Sequence, residues 1–463
     1  MRNRIFIVLS FLTIAAFAQD TKTYSLDQAV AYAQQNAYAI QDTDDAIAKA
    51  KHKIWETTTM GLPQINASVD YQYFIEKPVQ LMPASAFDIT GATVGIMQAY
   101  YDLLPTHAPV AAEGFIEMSF GTTQNIGASA TLTQLLFNGS YLVGLQSSKV
   151  FLKISEGVKE KTEAAIKEGV SNAYAGVLMI DEGVAILEKN KKNLEKTIHD
   201  TNEIYKNGFA EEQDVEQLQL TLSSINNEIS NLKRMKTYNL NMLKYIMGIP
   251  IEENIVLTQN LENLLLKKED LSITNNAFDF SKHIDFRIAE NTTRANELMV
   301  KYEQSKALPS LVAFVNYGLT ANNDEFKFFN DDQKWLDTSL FGVSLDIPIF
   351  SSFARRSRIQ QAKIELDKTK RAQSETAQKL KLAHQTALLS YENALNTYNT
   401  SKESLALAER IEKKENIKFF EGVSSSFALS NAQTQMYQHQ QKYLQAVFEL
   451  INKKVALETA LDK

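Results

Sequence analysis

Hydrophobic residues recur every three or four positions along three stretches of this chain. They do so through residues 170–205 and 215–232 and, with more Ala, Ser and Tyr, through residues 387–408. A sustained period near 3.5 residues is typical of helices that pack side by side along their whole length. The pattern predicts long helices at 140–206 and 353–418, each about 100 Å long at 1.5 Å per residue, with a second helix packed back on each.

A capping motif, two prolines and two glycines predict where the helices begin and end. Ser25-Leu26-Asp27-Gln28 has the spacing of a capping box, which predicts the start of a first helix whose apolar positions continue to Ile54. Pro63 and Pro309 predict the ends of the shorter helices in each half of the chain. Gly208 and Gly422 follow the two long helices and predict tight reversals.

Shorter segments alternate strictly between apolar and polar residues. Residues 65–73, 126–132 and 341–349 do so, and residues 311–320 alternate less cleanly. Alternation predicts strands with one apolar face and one polar face that contacts water. A soluble sheet packed on a core has the same pattern, but these segments are about as long as a tilted membrane-spanning strand.

Four such strands per chain are too few to close a membrane barrel, which begins at about eight strands. An open sheet edge cannot be left in lipid, because its backbone groups would lack hydrogen-bond partners. Strands that span a membrane would therefore require oligomerisation, with two copies giving eight strands and three copies giving twelve.

The same order of elements occurs twice. Residues 62–71 align with 308–317 at five of ten identical positions, residues 131–137 align with 344–350, and residues 205–209 align with 419–423. The matches keep their order, which predicts an internal duplication rather than chance similarity. The first copy carries the longer insert, at about 75–122, which is expected to be a surface loop or, in a barrel, a pore rim.

The N-terminal residues have the pattern of a secretory signal peptide. Arg2 and Arg4 precede an apolar run from Ile5 to Ala16, and Ala16-Phe17-Ala18 fits a small-x-small cleavage site. The run is shorter than the roughly 20 residues of a membrane span, which favours a cleaved signal at 1–18 over a retained anchor. The mature chain is therefore expected to be exported.

Composition narrows the class of protein. The chain has 463 residues, a net charge of −7 and no cysteine. The acidic balance gives no broad basic surface for nucleic acid, and the absence of thiols excludes disulfides and zinc–thiolate sites. No Ser-centred nucleophile motif, phosphate-binding loop or dinucleotide motif occurs, and the six His residues lack metal-ligand spacing. We therefore expect no catalytic residue, no metal and no cofactor, and a protein that is not an enzyme.

The duplicated series of motifs resembles the TolC-like outer-membrane efflux proteins. The motifs that carry the resemblance are Tyr24 to Val30 with Asn36, Leu62-Pro63-Gln64, Gln134 to Gly139, Leu345 to Phe350, Tyr205 to Phe209 and Met247-Gly248-Ile249-Pro250. The resemblance implies a mixed α and β fold, in which three chains form a 12-strand transmembrane β-barrel continued by a coiled-coil α-helical barrel. It divides the mature chain into a first repeat at 19–248, an equatorial linker at 249–280 and a second repeat at 281–463.

The resemblance also implies a function and partners. The chain would be the exit duct of a tripartite efflux or type I secretion system, located in the outer membrane and extending into the periplasm. Its partners would be two further copies of itself, a periplasmic adaptor protein, outer-membrane lipid and, indirectly, an inner-membrane transporter, but no nucleic acid. Two alternatives from other classes are a structural periplasmic coiled-coil protein without a pore and an exported binding or hydrolytic protein.

Within that family the two helix reversals dock on the adaptor. The resemblance assigns this role to Gly208, Phe209 and Ala210 in the first copy and to Gly422, Val423 and Ser424 in the second. The alternative is that the glycines only permit the turns. The position in the second copy that matches Asp214 is Ala428, and Ser424 occupies a position where some relatives have a basic residue. A salt bridge that closes the tips is therefore not expected.

Acidic residues gather beside these turns. They are Glu211, Glu212, Asp214 and Glu421. Threefold repetition would make each a charged ring that favours cations and narrows a pore. Equally, they could compensate the dipoles of the helices that start there. The transported substrate and the resting state of the channel are not predicted by any of these residues.

Overall fold

A computed structural model of the chain describes residues 22–87, 96, 114–266 and 278–462. Two compact units are present: a helical unit of residues 1–53, 147–300 and 360–463, and a sheet unit of residues 54–146 and 301–359. Each unit takes residues from both halves of the chain, so this division differs from the predicted repeats, which stay a prediction. The predicted signal peptide at 1–18 lies outside the described residues.

The elements alternate between short strands and much longer helices. In chain order they are β1 (Lys22–Tyr24), α1 (Leu26–Asn36), α2 (Tyr38–Thr59), β2 (Gln64–Tyr73), β3 (Val79–Pro83), a 3₁₀ turn (Ala84–Phe87), β4 (Phe115–Ser119), β5 (Gln124–Asn138), α3 (Gly139–Lys206), α4 (Glu212–Met247), β6 (Ile255–Leu257), α5 (Leu261–Leu266), α6 (Ile284–Ser305), β7 (Ser310–Asn323), β8 (Leu336–Asp346), α7 (Ala354–Phe420) and α8 (Ser426–Ala460). The predicted mixed α and β fold is confirmed, and it is mostly helical.

The long helices match their predicted bounds. α3 has 68 residues and α7 has 67 residues, each within two residues of the prediction at both ends. α4 and α8 follow them after the predicted reversals. The C-terminal ends could be predicted because a glycine with positive φ, Gly208 or Gly422, lies two residues after the end of each helix.

The core of the helical unit lies along the predicted apolar stripes. One cluster joins α1, α3, α4 and α8 and includes Ala33, Tyr174, Leu243 and Val447. A second cluster joins α3 and α4 through residues such as Leu194 and Leu218. By contrast, the only buried residues of α7 are Ala377, Leu380, Ala394 and Ala408. α7 therefore presents most of its length to solvent in a single chain.

The first helix begins as predicted but is not continuous. The Gln28 backbone N–H donates to Ser25 Oγ at 3.3 Å and the Ser25 N–H donates to Gln28 Oε1 at 2.9 Å, which is the predicted capping box. The expectation of one helix through Ile54 is wrong, because Ala37 is extended (ψ 137°) and separates α1 from α2. Gly248, at φ +75°, approaches the Asn36 carbonyl so closely that a Cβ there would collide with it.

The sheet unit is built around a four-stranded antiparallel sheet, in the order β2-β5-β7-β8. β2 pairs only with β5, and β8 only with β7, so both outer strands have an unpaired edge in the described part of the chain. The helices α2 and α6 end before β2 and β7, ahead of Pro63 and Pro309, as predicted.

The register places apolar residues of all four strands on one face. This apolar face carries Ile65, Ala67, Val69, Tyr71, Ile126, Ala128, Ala130, Leu132, Leu311, Ala313, Val315, Tyr317, Leu319, Phe341, Val343 and Leu345. The opposite, polar face is linked by side chains: Ser68 and Ser129 share a hydrogen bond of 3.2 Å, and Asn316 donates to Thr131 Oγ1 at 2.7 Å. Most of the large residues on the apolar face are exposed.

The two ends of the sheet differ. At one end, called here the helix end, β5 runs directly into α3, and the pairs Asn138–Ser310 and Ser310–Asp346 bring the helix-connected termini of three strands together. At the other, loop end, the strands are joined by the segments 74–123 and 324–335. Asp324 ties these two segments together by accepting from Lys77 Nζ at 2.9 Å and from the Thr123 N–H at 2.8 Å.

Two predictions about strands need correction. The strand predicted at 341–349 is observed at 336–346, because Pro348 has no N–H to continue the ladder. The insert at 75–122 was expected to be a loop, but β3 and β4 within it pair from Val79–Ser119 to Pro83–Phe115. Most of the rest of this insert, including Tyr100 and Tyr101, lies outside the described residues.

The predicted linker at 249–280 contains two short elements. β6 pairs in parallel with β1, and α5 follows it; residues 267–277 lie outside the described part of the chain. Among the described helices, part of α3 is long and apolar enough to cross a membrane, but more than half of that stretch is buried in the protein. A core helix of a soluble unit passes the same test, so this finding carries no further conclusion.

Candidate functional site

The candidate site consists of the two reversals at the ends of the long helices. Both lie in the helical unit. In the first reversal, residues 207–211 connect α3 to α4; in the second, residues 421–425 connect α7 to α8. We call them the first and second hairpin ends.

The first hairpin end closes α3 with a left-handed glycine. Gly208 has φ +78°, its N–H donates to the Tyr205 carbonyl at 2.8 Å, and the Phe209 N–H donates to the Ile204 carbonyl at 3.1 Å. A side chain at position 208 would meet no neighbouring atom within 4 Å. Glycine is needed there for its backbone conformation rather than for space.

The second hairpin end repeats this arrangement. Gly422 has φ +74°, its N–H donates to the Phe419 carbonyl at 3.0 Å, and the Val423 N–H donates to the Lys418 carbonyl at 3.0 Å. The two turns thus have the same hydrogen-bond pattern 214 residues apart. The sequence match between 205–209 and 419–423 corresponds to a real similarity of local structure.

The helices that leave the two ends start differently. At α4 the Glu211 N–H donates to Asp214 Oδ2 at 3.0 Å. At α8 the Ala428 N–H donates to Ser425 Oγ at 3.2 Å, so Ser425 is the N-cap. Carboxylates and hydroxyls at these positions satisfy the free N–H groups of a first helical turn.

Side chains also connect α4 and α8, the helices that begin at the two hairpin ends. Ser426 Oγ donates to Asp214 Oδ1, and Thr221 Oγ1 and Ser430 Oγ lie 3.3 Å apart further along the same helix pair. No salt bridge joins the two ends among the described residues. The group that contacts Asp214 is the neutral hydroxyl of Ser426.

A second carboxylate fixes the shape of the second hairpin end. Ser424 Oγ donates to Glu415 Oε1, and Lys418 Nζ lies 3.2 Å from Glu415 Oε2. The hydrogen bond from Ser424 and then that from Lys418 lower the pKa of the Glu415 carboxyl below its ordinary value. Ser424 was predicted as a docking residue, but its side chain points back to α7.

Between the hairpin ends lies an open depression of about 820 Å³. Its lining combines carboxylates with aromatic rings: Glu203, Glu211, Asp214, Glu421, Phe209, Phe419 and Phe420. Ala210, Gly422 and Ser424 also line it, whereas Gly208, Glu212 and Val423 do not. The structure therefore brings most of the predicted site residues together around one surface, although they come from distant parts of the sequence.

The apolar residues at the tips are held out in solvent. Phe209 is 86% exposed and Val423 is 71% exposed. Neither belongs to a core cluster of the helical unit. Both side chains are therefore accessible to another molecule.

Partly buried polar side chains, Glu412 and Tyr437, lie two to three turns inside the second hairpin. Burial raises the pKa of the Glu412 carboxyl, and a hydrogen bond with Gln433 opposes that shift. Burial, then the charge of Glu412, raises the pKa of the Tyr437 hydroxyl far above its ordinary value. Sequence patterns gave no signal for this pair, because Glu412 occupies an ordinary helical position.

Metal-binding and catalytic arrangements are not found in the part of the chain that the structure describes. No three His, Asp or Glu side chains there come together as a metal site would require. His283 is buried, and its Nδ1 accepts from the Asp285 N–H at 3.2 Å. His384 stacks on Phe278 with ring centroids 4.5 Å apart. Both have structural roles in the helical unit.

Comparison with known proteins supplies a family for part of the chain. Residues 281–462 match the family model described as outer membrane efflux protein. The resemblance predicted from the sequence motifs is confirmed for this segment. No curated protein matches the sequence significantly.

Solved structures extend the likeness to nearly the whole chain. A structure of CusC, described in connection with transmembrane channel formation, aligns with a TM-score of 0.72 and 13% identity over 94% of this chain and 91% of its own. The CmeC outer membrane channel of Campylobacter jejuni aligns with 0.70 and 15% over 94% and 85%. The outer membrane protein VceC of Vibrio cholerae aligns with 0.67 and 13% over 94% and 96%. At these identities the likeness establishes the fold.

Proposed function

With residues 281–462 matching the outer membrane efflux proteins as a premise, we propose that this chain is a subunit of an outer-membrane efflux channel. The observation that carries the proposal is the apolar face of the four-stranded sheet, because most of its large side chains are exposed. In water such a face would be a large aggregation-prone surface. In lipid it is the normal outer surface of a membrane strand.

The open edges of the sheet support an oligomer. β2 and β8 end the sheet without partners in a single chain, and unpaired backbone groups are not tolerated in the hydrocarbon region. Pairing β8 of one copy with β2 of the next satisfies both edges. We propose three copies, which gives twelve strands, a number within the range of closed membrane barrels. The exposed length of α7 provides a surface for helices of a neighbouring copy.

The hairpin ends are proposed to dock on a periplasmic adaptor protein. Phe209 and Val423 supply exposed apolar contacts, and the depression between them can accept a protruding side chain. Of the predicted acidic group, Glu211, Asp214 and Glu421 line this depression, but Asp214 already accepts hydrogen bonds from Ser426 Oγ and from the Glu211 N–H. We therefore assign the proposed charged ring to Glu211 and Glu421, and a local structural role to Asp214.

The channel is tested by electrical recording on the purified protein. Its oligomer mass is measured on the same sample, and single-channel conductance is recorded in planar lipid bilayers. Stable conductance from a trimer is expected. A water-soluble monomer or dimer that never inserts into the bilayer would contradict the channel hypothesis. It would favour the alternative hypothesis of a structural coiled-coil protein.

The adaptor contact is tested by cross-linking in cells, which the absence of cysteine makes simple. Single Phe209→Cys and Val423→Cys variants carry a thiol-reactive photocross-linker, and Tyr238→Cys, exposed on α4 but away from the hairpin ends, is the control. The expected product joins positions 209 and 423, but not 238, to one exported adaptor. Equal products at all three positions would refute specific docking.

A further inference from the structure

An exposed apolar segment follows β8 at the helix end of the sheet. We call residues 347–358 the junction segment. It leaves the sheet after Asp346 and enters α7 at Ala354. Ile349 is 90% exposed, and Phe350 and Phe353 are exposed next to it, with their rings in an edge-to-face contact at 6.0 Å. These residues add nothing to a core, yet they form one apolar surface.

The backbone of this segment is unusual. Ser352 and Phe353 have φ of +46° and +64°, a left-handed conformation that residues with a Cβ rarely adopt and that is rarest for bulky side chains. The cost is not offset by burial of the ring, because Phe353 stays in solvent. The conformation instead keeps Phe353 beside Phe350, so that both rings face outward. The turn that it forms is closed by the Ala354 N–H, which donates to the Ser351 carbonyl at 2.9 Å.

Three arginines follow the rings directly. They are Arg355, Arg356 and Arg358, and no acidic residue lies in the first turn of α7. Arg355 donates from Nη2 to the Pro348 carbonyl at 3.0 Å. Arg356 and Arg358 are exposed and have no ion pair among the described residues. Positive charge at a helix N-terminus opposes the helix dipole, so this placement is not explained by the stability of α7.

The equivalent junction in the first half of the chain is uncharged. There β5 passes into α3, and no basic residue occurs between Asn138 and Ser148. Its positions corresponding to Arg355, Arg356 and Arg358 are Leu142, Val143 and Leu145. The arginines are thus a property of one junction and not a requirement of strand-to-helix connections in this fold.

Aromatic rings and guanidinium groups together match the surface of a membrane. Aromatic side chains concentrate at the boundary between hydrocarbon and water, and the planar guanidinium group can bind phosphate through two parallel hydrogen bonds. The junction segment begins where a strand with an exposed apolar face ends. If that strand spans the outer membrane, the segment lies at the level of the lipid headgroups.

We propose that the junction segment binds anionic phospholipid headgroups at the periplasmic surface of the outer membrane. Arg356 and Arg358 contact the lipid phosphates, Arg355 shapes the turn through Pro348, and Phe350 and Phe353 enter the interface. This inference rests on the proposed channel function, because that function places the helix end of the sheet on the periplasmic side. The lipid is a phosphate ester of net negative charge, such as phosphatidylglycerol.

The test is a lipid titration of the full-length, detergent-purified oligomer. Phosphatidylglycerol is added, bound lipids are counted by native mass spectrometry, and phosphatidylcholine of the same chain length serves as the uncharged comparison. The variants are Arg356→Gln, Arg358→Gln and their combination. The matched control is Lys370→Gln with Arg371→Gln, which removes two exposed charges more than three turns further along α7.

Each arginine removed is expected to weaken phosphatidylglycerol binding about fivefold, since a basic residue near an anionic membrane contributes about that factor. The control and the single-channel conductance should not change. Equal binding of the two lipids, unchanged binding by the double variant, or complete displacement by inorganic phosphate would overturn the inference. So would loss of the oligomer in the arginine variants, which would identify the segment as a contact between copies.

The proposed function fails in a different way. If the wild-type protein neither inserts into bilayers nor conducts, the channel is wrong and this inference falls with it. If the protein conducts as a trimer but shows no preference for phosphatidylglycerol, only the lipid contact is wrong.

Discussion

The helical unit and the sheet unit use the same kinds of apolar residues in opposite ways. Leu194 in α3 is 0% exposed, whereas Val69 in β2 is 71% exposed. Both positions belong to regular patterns, one with a period near 3.5 and the other with a period of 2. Along α3 and α4 the apolar stripe is buried within one chain. In the sheet unit most large residues of the apolar face stay exposed. The sheet therefore requires an environment that a single chain in water does not provide.

The largest effect is expected in the helical core. Leu194→Ala should lower the free energy of unfolding by about 3 kcal/mol, because it removes buried methyl groups and leaves a cavity. Val69→Ala in the sheet should change it by less than about 0.5 kcal/mol in detergent. Denaturant unfolding followed by circular dichroism measures both. Similar losses for the two variants would mean that the apolar face of the sheet is covered by protein.

The two faces of the sheet should differ once lipid is present. Val69→Arg puts a charge on the apolar face and should cost about 2 kcal/mol in a bilayer. Asn66→Arg, on the polar face of the same strand, should cost much less. The measurement is urea-dependent folding of each variant into lipid vesicles. An equal cost on both faces would argue against strands that separate lipid from water.

The glycine of a hairpin end should matter more than the glycine in β5. Gly422→Ala forces a Cβ into the left-handed conformation, and should cost about 1 kcal/mol. Gly127 in β5 has open space around it and no positive φ, so Gly127→Ala should be nearly neutral. Thermal unfolding of the two variants compares them. A neutral Gly422→Ala would show that the second hairpin end tolerates another turn.

The smallest effect concerns pH at the loop end of the sheet. Hydrogen bonds from Lys77 and Thr123 lower the pKa of Asp324 to about 2. A lowered pKa means that the stabilising contribution is complete above the ordinary Asp value near 3.9 and is lost as the pH falls towards 2. The ¹³C shift of the Asp324 carboxyl should therefore titrate near pH 2, and Lys77→Met should raise its midpoint. An unchanged midpoint would mean that Lys77 does not hold the carboxylate.

Much of the helical architecture could be predicted from the sequence. Glycine after a long seven-residue pattern, as at Gly208 and Gly422, defines both the end of a helix and the turn that follows. Ser25 and Gln28 predicted the capping box for the same reason, since both partners lie within four residues. The break at Ala37 could not be predicted, because no proline or glycine occurs near it in the sequence.

The candidate site was predicted less completely. Its turns depend on local sequence and were predicted. The contact between Asp214 and Ser426 joins two hairpins that are far apart in the sequence, so no sequence motif indicates it. The inward direction of Ser424, toward Glu415, is likewise set by tertiary packing. The β3–β4 hairpin was missed because its strands are short and one ends in Pro83. The docking roles of Phe209 and Val423 stay predictions.

The middle of the sheet also determines when the sheet can form. The central pair, β5 with β7, joins strands from opposite halves of the chain, and Thr131 and Asn316 meet across 185 residues. At a synthesis rate of 5–20 residues per second, a ribosome needs roughly 10–40 s to supply that separation. Until then β5 has only β2 as a neighbour, and a two-stranded hairpin is marginally stable in water. The sheet consequently cannot be completed before the second half of the chain has been synthesised, and the first half has to be kept from aggregating while it waits.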